Sequence, residues 1–235
     1  NSYYQDEGSV KSAIATIYST GATSYAEYFW YLQEFPADQV TWRVWHGGQW
    51  GYDEGEKFIF SIQNWTPDAK IIRSAWENAW TTIGLCNALL TDLARLTPAD
   101  LKMTEAGLKA YEGEVRTLRA WAYYNIFEIW GGALPLNINP ADGSELPPSA
   151  DPDFDTSAKK IYDFIAAELD ESAEGMIENQ VNRMNKAVNR MIKARLLLNA
   201  EVFIKEDHYS ECAELCRKII NGDYGKYELA KDYRD

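Results

Sequence analysis

The sequence contains few of the residues on which most catalytic and metal sites depend. Its 235 residues include two histidines, His46 and His208, and three cysteines. It has no Ser-His-Asp set, no G-x-G-x-x-G segment and no P-loop, which argues against serine hydrolases, dinucleotide-binding proteins and P-loop nucleotide hydrolases. We therefore expect no cofactor and no metal, and we interpret the chain as a binding protein that is not an enzyme.

The cysteines do not form a disulfide framework, because their number is odd and two of them lie four residues apart in a helical pattern. Cys212 and Cys216 stand among apolar residues such as Ala213 and Leu215. We interpret them as small buried apolar residues rather than metal ligands. His208 precedes Cys212 by four residues, and one histidine beside two cysteines on a single helix face is a weak metal motif.

Positive charge and long apolar runs are also scarce. Lys and Arg number 23 against 36 Asp and Glu, which gives a net charge of −13. Such acidity opposes binding to nucleic acid or to anionic lipid, and no nucleic-acid partner is expected. The sequence has no run of about 18 apolar residues, so a membrane-spanning helix is not expected either.

Aromatic residues, in contrast, are abundant. The chain has nine Trp and 15 Tyr, more than a core of this size needs, so some of these rings should be exposed for binding. Residues 38–67 carry four glycines and five of these rings without a helical period. We interpret 38–67 as an aromatic, Gly-rich loop and as the ligand-facing region of the chain.

The rest of the chain is expected to form helices. Apolar residues recur every three or four positions in segments at about 7–20, 68–96, 104–130, 156–176, 185–203 and 208–222. The first helix is expected to stop at Gly21, and the aromatic segment that follows it, up to Pro36, is also interpreted as helical. Residues 137–155 hold four of the eight prolines and are predicted to be a loop.

These helices can be drawn as three pairs at about 70–130, 157–203 and 187–221. The last pair has the layout of a tetratricopeptide repeat, in which small Ala194 and Ala200 permit close approach and Ala213 packs back against the first helix. The sequence therefore predicts an all-α fold of tetratricopeptide-like hairpins in a superhelical stack, as a single domain portion over 1–235.

One stretch, Glu112–Leu136, is expected to be the central packing element. Its apolar residues follow the spacing of a buried stripe, and aromatic rings leave little of the helix surface polar. Gly131 and Gly132 tolerate positive φ at the end of the helix, and Pro135 prevents its continuation. Arg116 and Arg119, with Glu112 and Glu114, are interpreted as structural ion-pairing residues.

This stretch resembles the signature of the SusD/RagB family, the glycan-binding lipoproteins of the outer surface of Bacteroidetes-type bacteria. The family has the pattern E-x-R-x-L-R-A-x-x-Y-Y…Y-G-x-x-P-L where this chain has Glu114, Arg116, Leu118, Arg119, Ala120, Tyr123, Tyr124, Trp130, Gly131, Pro135 and Leu136. Residues 76–87, WENAWTTIGLCN, are similar to the family's W-x-x-x-Y-x-x-I-x-x-x-N helix, with Trp80 where Tyr is common.

The resemblance implies a surface-exposed lipoprotein of the cell outer membrane, attached through a lipid anchor that the given sequence does not include. Such a protein captures an oligosaccharide and delivers it, without catalysis, to a SusC-like TonB-dependent transporter. Members of the family are about twice as long, so the resemblance also implies that this chain corresponds to the N-terminal half. In the family both halves contribute aromatic side chains to the glycan site.

The loop offers flat aromatic faces for stacking on sugar rings and polar groups for pairing with hydroxyls. The predicted ligand-binding residues are Trp45, Trp50, Tyr52, Trp42, Asp38 and Arg43.

Two rival functions stay open on the sequence alone. Asp53, Glu54 and Glu56 prompt an all-α glycoside hydrolase that uses two carboxylates, although three acids within four residues do not face each other across a sugar. A tetratricopeptide-type adaptor would bind a peptide in a concave groove.

Asp151, Asp153 and Asp155 alternate like the start of a calcium loop but lack its glycine and closing glutamate, so calcium is not expected.

Overall fold

The computed structural model describes residues 3–41, 55–138, 149–178, 180–228 and 231–232. Over these ranges the chain is helical and contains no β-strand, which confirms the predicted all-α fold. Its elements are α1 (Glu7–Thr23), a π-helical segment (Ser24–Phe29), α2 (Trp30–Glu34), α3 (Glu56–Ser61), α4 (Lys70–Leu93), α5 (Glu105–Trp130), α6 (Phe154–Ala173), α7 (Lys186–Leu198), α8 (Ala200–Ile204) and α9 (Tyr209–Ile220).

Helix α5 lies at the centre of the fold, as predicted. It packs against α4 on one side and α6 on another, and it also contacts α1 and α7. The side chains of Val115, Leu118 and Ile126 on this helix are at most 1% exposed. Thr104 caps its start, because the hydroxyl accepts a hydrogen bond of 3.0 Å from the Gly107 amide, and Gly131 with φ 71° ends it.

The first helix does not stop at Gly21, so that part of the prediction is wrong. Helix α1 continues through the π-helical segment into α2, which confirms the expectation that the following aromatic segment is helical. Gly21 is buried, and a Cβ added there would lie 3.1 Å from the ring of Trp121 on α5. The glycine permits a close approach between two helices rather than a helix end.

The predicted loop 38–67 contains a short helix, α3, and its residues 42–54 lie outside the described ranges. Helix α3 packs with α2 and the start of α4 in a small apolar cluster around Phe35, Phe60 and Ile71. The prediction of a loop over the whole segment is therefore wrong, because apolar side chains of α3 pack into this cluster.

The C-terminal helices form the expected hairpin with one correction. Asn185 caps α7, since its side chain accepts from the Val188 amide at 3.0 Å, and Ala194 and Ala200 are buried as predicted. Ala213 is exposed, however, and does not pack against α7. Cys212, one residue earlier, does so, and its thiol donates to the Ala194 carbonyl at 3.3 Å.

The interpretation as a buried residue is confirmed for Cys212, whereas Cys216 is half-buried; Cys86 on α4 is buried as well. Burial raises the pKa of the Cys212 thiol, with a further contribution from Cys216. A raised pKa keeps the thiol protonated near neutral pH, as a donor to α7 rather than a nucleophile.

The core side of α7 is partly polar, which the apolar pattern did not predict. Met191 and Leu198 are about half exposed, while Asn189 is fully buried. The Asn189 amide donates to the hydroxyls of Thr117 on α5 at 2.8 Å and Ser172 on α6 at 2.9 Å. These hydrogen bonds offset the free-energy cost of burying the Asn189 amide at the junction of α5, α6 and α7.

None of the helices in the described ranges combines the length and the apolarity that a bilayer crossing requires.

Candidate functional site

A cleft of about 630 Å³ opens where α2, the turn after α3 and the C-terminal end of α5 meet. We call it the Trp65 cleft. Its lining consists of apolar and aromatic side chains with two polar ones, and the residues are Leu32, Gln33, Pro36, Phe60, Trp65, Pro67, Ile72, Glu128, Ile129 and Trp130. A concave, mostly apolar surface with a few polar groups is typical of a ligand site.

The turn after α3 places the Trp65 ring at the mouth of this cleft. The backbone reverses at Gln63, which adopts φ 53°, and the Asn64 amide donates back to the Ile59 carbonyl at 2.9 Å. The Trp65 ring then stacks on Phe60 with centroids 5.7 Å apart and planes 19° from parallel. Phe60 is 1% exposed whereas Trp65 is 42% exposed, so a buried ring supports one face of a ring that is open to ligand.

Trp130, the last residue of α5, also lines the cleft. Its ring meets Trp76 on α4 edge-on at 5.2 Å and Phe29 of the π-helical segment at 6.2 Å. Two neighbouring elements therefore fix the ring before any ligand arrives. A ring that is already immobile loses little conformational entropy on binding.

The polar edge of the cleft is a hydrogen-bonded pair from α2 and α5. The Gln33 amide nitrogen donates to Glu128 Oε2 at 2.9 Å. The other carboxylate oxygen of Glu128, Oε1, accepts from the Tyr124 hydroxyl at 3.0 Å and from Arg195 Nη2 on α7 at 3.2 Å. Four side chains from three helices hold this edge in one arrangement.

The protonation of this cluster follows from burial and charge. Burial raises the pKa of the Tyr124 phenol, and the Glu128 carboxylate raises it further, so Tyr124 stays a donor at neutral pH. Burial works against the charge of Arg195, yet the Tyr124 and Glu128 oxygens beside it raise its pKa overall. The guanidinium also lies over the Tyr124 ring, 5.2 Å from the centroid.

A second cleft of about 510 Å³ lies on the other side of α2 and α3. Tyr28 and Tyr31 line it together with two lysines, Lys57 and Lys70. Lys57 Nζ sits over the Tyr31 ring at 4.7 Å from the centroid. Glu56 also lines this cleft, but its carboxylate accepts from the backbone amides of Lys70 and Ile71 and so caps the start of α4.

Most of the ligand-binding residues predicted from the sequence lie outside the described ranges. These residues are Trp42, Arg43, Trp45, Trp50 and Tyr52. Asp38 is described; it is exposed, adopts φ 59° and is not part of the lining of the Trp65 cleft. Trp65 belongs to the same predicted aromatic loop; it is the one of that loop's five Trp and Tyr residues that falls in the described ranges, and it lines the Trp65 cleft.

Sequence reasoning missed Trp130, Glu128 and Gln33 as site residues. Trp130 and Glu128 belong to the stretch that was interpreted as a packing element, and Gln33 lies 95 positions before Glu128. One local signal was present in the sequence: Glu128 is an isolated charge near the end of a helix whose neighbouring positions are apolar or aromatic.

The charged residues of the family-like motif are structural, as interpreted from the sequence. Glu168 on α6 is 4% exposed and accepts from Arg119 Nε at 2.8 Å and from Arg116 Nε at 2.9 Å. Arg119 also donates to Asn87 on α4 at 2.9 Å. Although burial opposes its charge, hydrogen bonds to Glu171 and Glu168 raise the pKa of Arg116. These ion pairs join α4, α5 and α6.

A pair of carboxylates is not found among the described residues that line the Trp65 cleft. Glu128 is the one carboxylate among the described residues that line the Trp65 cleft, and glycoside hydrolysis ordinarily uses two. In the described part of the chain no group of three His, Cys, Asp or Glu side chains is placed to hold a metal ion. Asp153 instead caps α6 by accepting from the Thr156 amide at 2.8 Å, and this contact lowers its pKa.

The chain is similar to known proteins both in sequence and in structure. No family model matches the chain. The starch-binding protein SusD of Bacteroides thetaiotaomicron is 25% identical over 205 residues, which are 86% of this chain and 32% of SusD. The chain therefore spans about a third of the length of this curated relative.

Solved structures share the fold at lower sequence identity. A laminarin-binding SusD-like protein superposes with a TM-score of 0.76 at 20% identity, over 98% of this chain and 48% of that one. Surface glycan-binding protein A from Bacteroides fluxus gives a TM-score of 0.71 at 21% identity, over 96% of this chain and 46% of that one. A SusD superfamily protein from Bacteroides thetaiotaomicron gives 0.69 at 14% identity, over 96% and 48%.

Proposed function

Because the chain is SusD-like in sequence and in fold, we propose that it binds a glycan in the Trp65 cleft without converting it. The observation that carries this proposal is a half-exposed indole face beside the hydrogen-bonded pair of Gln33 and Glu128. The relatives named for starch, laminarin and surface glycans support the class of ligand.

The cleft supplies the two kinds of contact that a sugar requires. The apolar face of a pyranose ring stacks on an indole, and its hydroxyls pair with amide and carboxylate groups at the edge. Covering about 80 Å² of the exposed part of Trp65 stabilises the complex by about 2 kcal/mol at about 25 cal/mol per Å². That free energy corresponds to roughly 30-fold in Kd.

The loop residues predicted from the sequence to bind ligand stay part of the proposal. Trp45, Trp50 and Tyr52, with Trp42, Asp38 and Arg43, stand between α2 and α3 in the chain. Both of these helices border the Trp65 cleft, because Gln33 is on α2 and Phe60 is on α3. Replacing Trp45 or Trp50 by alanine is therefore expected to weaken glycan binding.

The cellular role of the chain is also part of the proposal. We infer that the chain acts at the outer membrane surface as part of a lipoprotein and passes its glycan to a SusC-like TonB-dependent transporter. The exposed apolar residues Leu198, Val202 and Ile220, in the α7 to α9 region, are consistent with such a partner, because large apolar side chains in water favour association. Co-purification of the two proteins from membranes would test this step.

Calorimetric titration with a panel of polysaccharides tests the binding function. Trp65→Ala should weaken binding about 30-fold if stacking on this ring contributes as estimated. Trp30→Ala is the matched control, because Trp30 is 41% exposed and does not line the cleft. Equal affinity in Trp65→Ala and the unmodified chain would remove the Trp65 cleft from the site.

The same samples separate the rival functions. Release of reducing ends from a bound glycan would replace the proposal by the glycoside hydrolase. Binding of a peptide in the absence of any glycan binding would replace it by the tetratricopeptide-type adaptor.

A further inference from the structure

We propose that the Trp65 cleft selects neutral glycans against carboxylated or sulfated ones, and that Glu128 makes this selection. The inference rests on the proposed function, because it names the class of glycan that the same cleft takes. It is argued from the hydrogen bonds and charges that face the cleft.

The Glu128 carboxylate keeps part of its hydrogen-bonding capacity for a ligand. An ionised carboxylate has about four positions at which it accepts a hydrogen bond. The described contacts fill three of them, with Tyr124 and Arg195 on Oε1 and Gln33 on Oε2. About one acceptor position is left for a ligand, on a residue that lines the cleft.

The remaining acceptor position on Glu128 can be filled only by a ligand group that donates a hydrogen bond. A sugar hydroxyl donates to a carboxylate, and such charge-assisted hydrogen bonds are about twice as strong as neutral ones. The oxygens of an ionised uronate or a sulfate ester have no proton to donate, and they carry the same sign of charge as Glu128. A neutral sugar therefore gains a hydrogen bond where an acidic sugar meets repulsion.

Gln33 completes the recognition of a hydroxyl. One amide proton of Gln33 goes to Glu128 at 2.9 Å, and within the described part of the chain the second proton and the side-chain carbonyl oxygen are left for a ligand. A donor and an acceptor next to a carboxylate match the pattern of neighbouring hydroxyls on a sugar ring, each of which both donates and accepts.

Among the described residues, the positive charges near the cleft do not offset this preference. Arg195 is the cation in contact with the cluster, and its guanidinium is already paired with Glu128 and placed over the Tyr124 ring. Lys57 and Lys70 line the second cleft, and the buried Phe60 and Ile71 lie in the apolar cluster between the two. The net charge of −13 opposes polyanions further.

A matched pair of ligands tests the selection. The 235-residue chain is titrated with laminarin, a neutral glucan, and with laminarin whose C6 hydroxyls have been oxidised to carboxylates, and starch and carboxymethylated starch serve as a second pair. We expect the carboxylated form to bind at least about tenfold more weakly in each pair whose neutral form binds. Raising the salt from about 0.05 M to 0.5 M should narrow that difference, because it screens the repulsion.

Two variants then assign the selection to Glu128. Glu128→Gln keeps the size of the side chain and removes its charge, so the ratio between neutral and carboxylated ligand should fall to about two or less. Glu174→Gln removes a carboxylate that is 88% exposed and lies outside the cleft lining, so it should leave the ratio unchanged. Circular dichroism checks that both variants stay folded. If Glu128→Gln does not fold, the salt dependence of binding by the unmodified chain is the measurement that tests the selection.

The outcomes are distinct for the two proposals. Equal or tighter binding of the carboxylated glucans overturns the selection while the glycan-binding function stands. An unchanged ratio in folded Glu128→Gln overturns the role of Glu128. Failure of every neutral and acidic glycan to bind overturns the proposed function itself, and the selection with it.

Discussion

Glu114 on α5 is completely buried, and its carboxylate is held by groups from distant parts of the chain. The Tyr18 hydroxyl of α1 donates to it at 2.6 Å, and Arg183, just before α7, donates from Nε at 2.9 Å and forms a second contact through Nη2. Burial raises the pKa of the Tyr18 phenol, and the Glu114 charge raises it further. One carboxylate thus ties three segments together.

Loss of this carboxylate should be costly. Glu114→Ala leaves Arg183 and Tyr18 without their acceptor, so we expect the free energy of unfolding to fall by roughly 3–5 kcal/mol. Glu174→Ala, which removes a side chain that is 88% exposed, should change it by less than about 0.5 kcal/mol. Urea unfolding of the two variants measures the difference, and a similar small effect in both would show that Glu114 is not a structural centre.

His208 carries the pH dependence that can be tested at a single residue. Glu211 lies 2.9 Å from Nδ1 and raises the pKa of His208 above its ordinary value, and Glu206 adds to this. A raised folded-state pKa means that the ion pair stabilises the chain fully below about pH 6.5, and that this is lost as the pH rises through the folded-state value. The partly exposed pair contributes less than about 1 kcal/mol.

Titration of the His208 ring protons by NMR should give a pKa above about 6.5, and Glu211→Gln should lower it. In urea unfolding, the unmodified chain should lose more stability than His208→Gln as the pH rises from about 6 to 8. A His208 pKa below 6.5 in the folded chain would contradict the assignment.

At the scale of elements, the junction of α5 with α6 depends on a glycine. A Cβ added to Gly132 would lie 2.4 Å from the Ala158 Cβ and 2.8 Å from its Cα. Both atoms belong to the body of α6, which cannot yield without moving the helix. Gly132 lets the chain leaving α5 touch the next helix directly.

Gly132→Ala is therefore expected to destabilise the chain by about 1–3 kcal/mol, the usual cost of overpacking. Gly84→Ala is the matched change, because Gly84 lies inside α4 with nothing within 4 Å of the added Cβ. It should stabilise the chain by about 0.5–1 kcal/mol, since alanine favours the helix over glycine. Thermal unfolding should move in opposite directions for the two variants, and a shift in the same direction would refute the packing argument.

The elements themselves were predictable wherever local signals decide them. The sequence has a threonine, which can cap a helix, at position 104 and a glycine, which tolerates positive φ, at position 131. In the structure α5 starts after Thr104 and ends at Gly131, which has φ 71°. Gly21 was read as a helix end by the same logic, but its role is contact with Trp121, 100 positions later in the chain. The sequence alone does not distinguish a glycine that is needed for tertiary packing from a glycine that ends a helix.

At the scale of the whole molecule, the class of fold was predictable and the candidate site was not. The repeated apolar period and the family-like motif predict an all-α body, and the structure agrees. The Trp65 cleft joins α2, the turn after α3 and α5, so its geometry exists only after Gln33 and Glu128 meet across 95 positions. The predicted aromatic loop supplied Trp65, but no periodicity could pair it with Trp130.

Stacking of a glycan on Trp65 can be observed through the indole N–H signals of the tryptophans in NMR. Signals for Trp65, Trp130 and Trp30 are assigned with single Trp→Phe variants, and the chain is titrated with a neutral oligosaccharide that binds in calorimetry. The account predicts that the Trp65 and Trp130 signals shift with the ligand and saturate together, while the Trp30 signal stays in place. A bound oligosaccharide that leaves the Trp65 signal unmoved would contradict it.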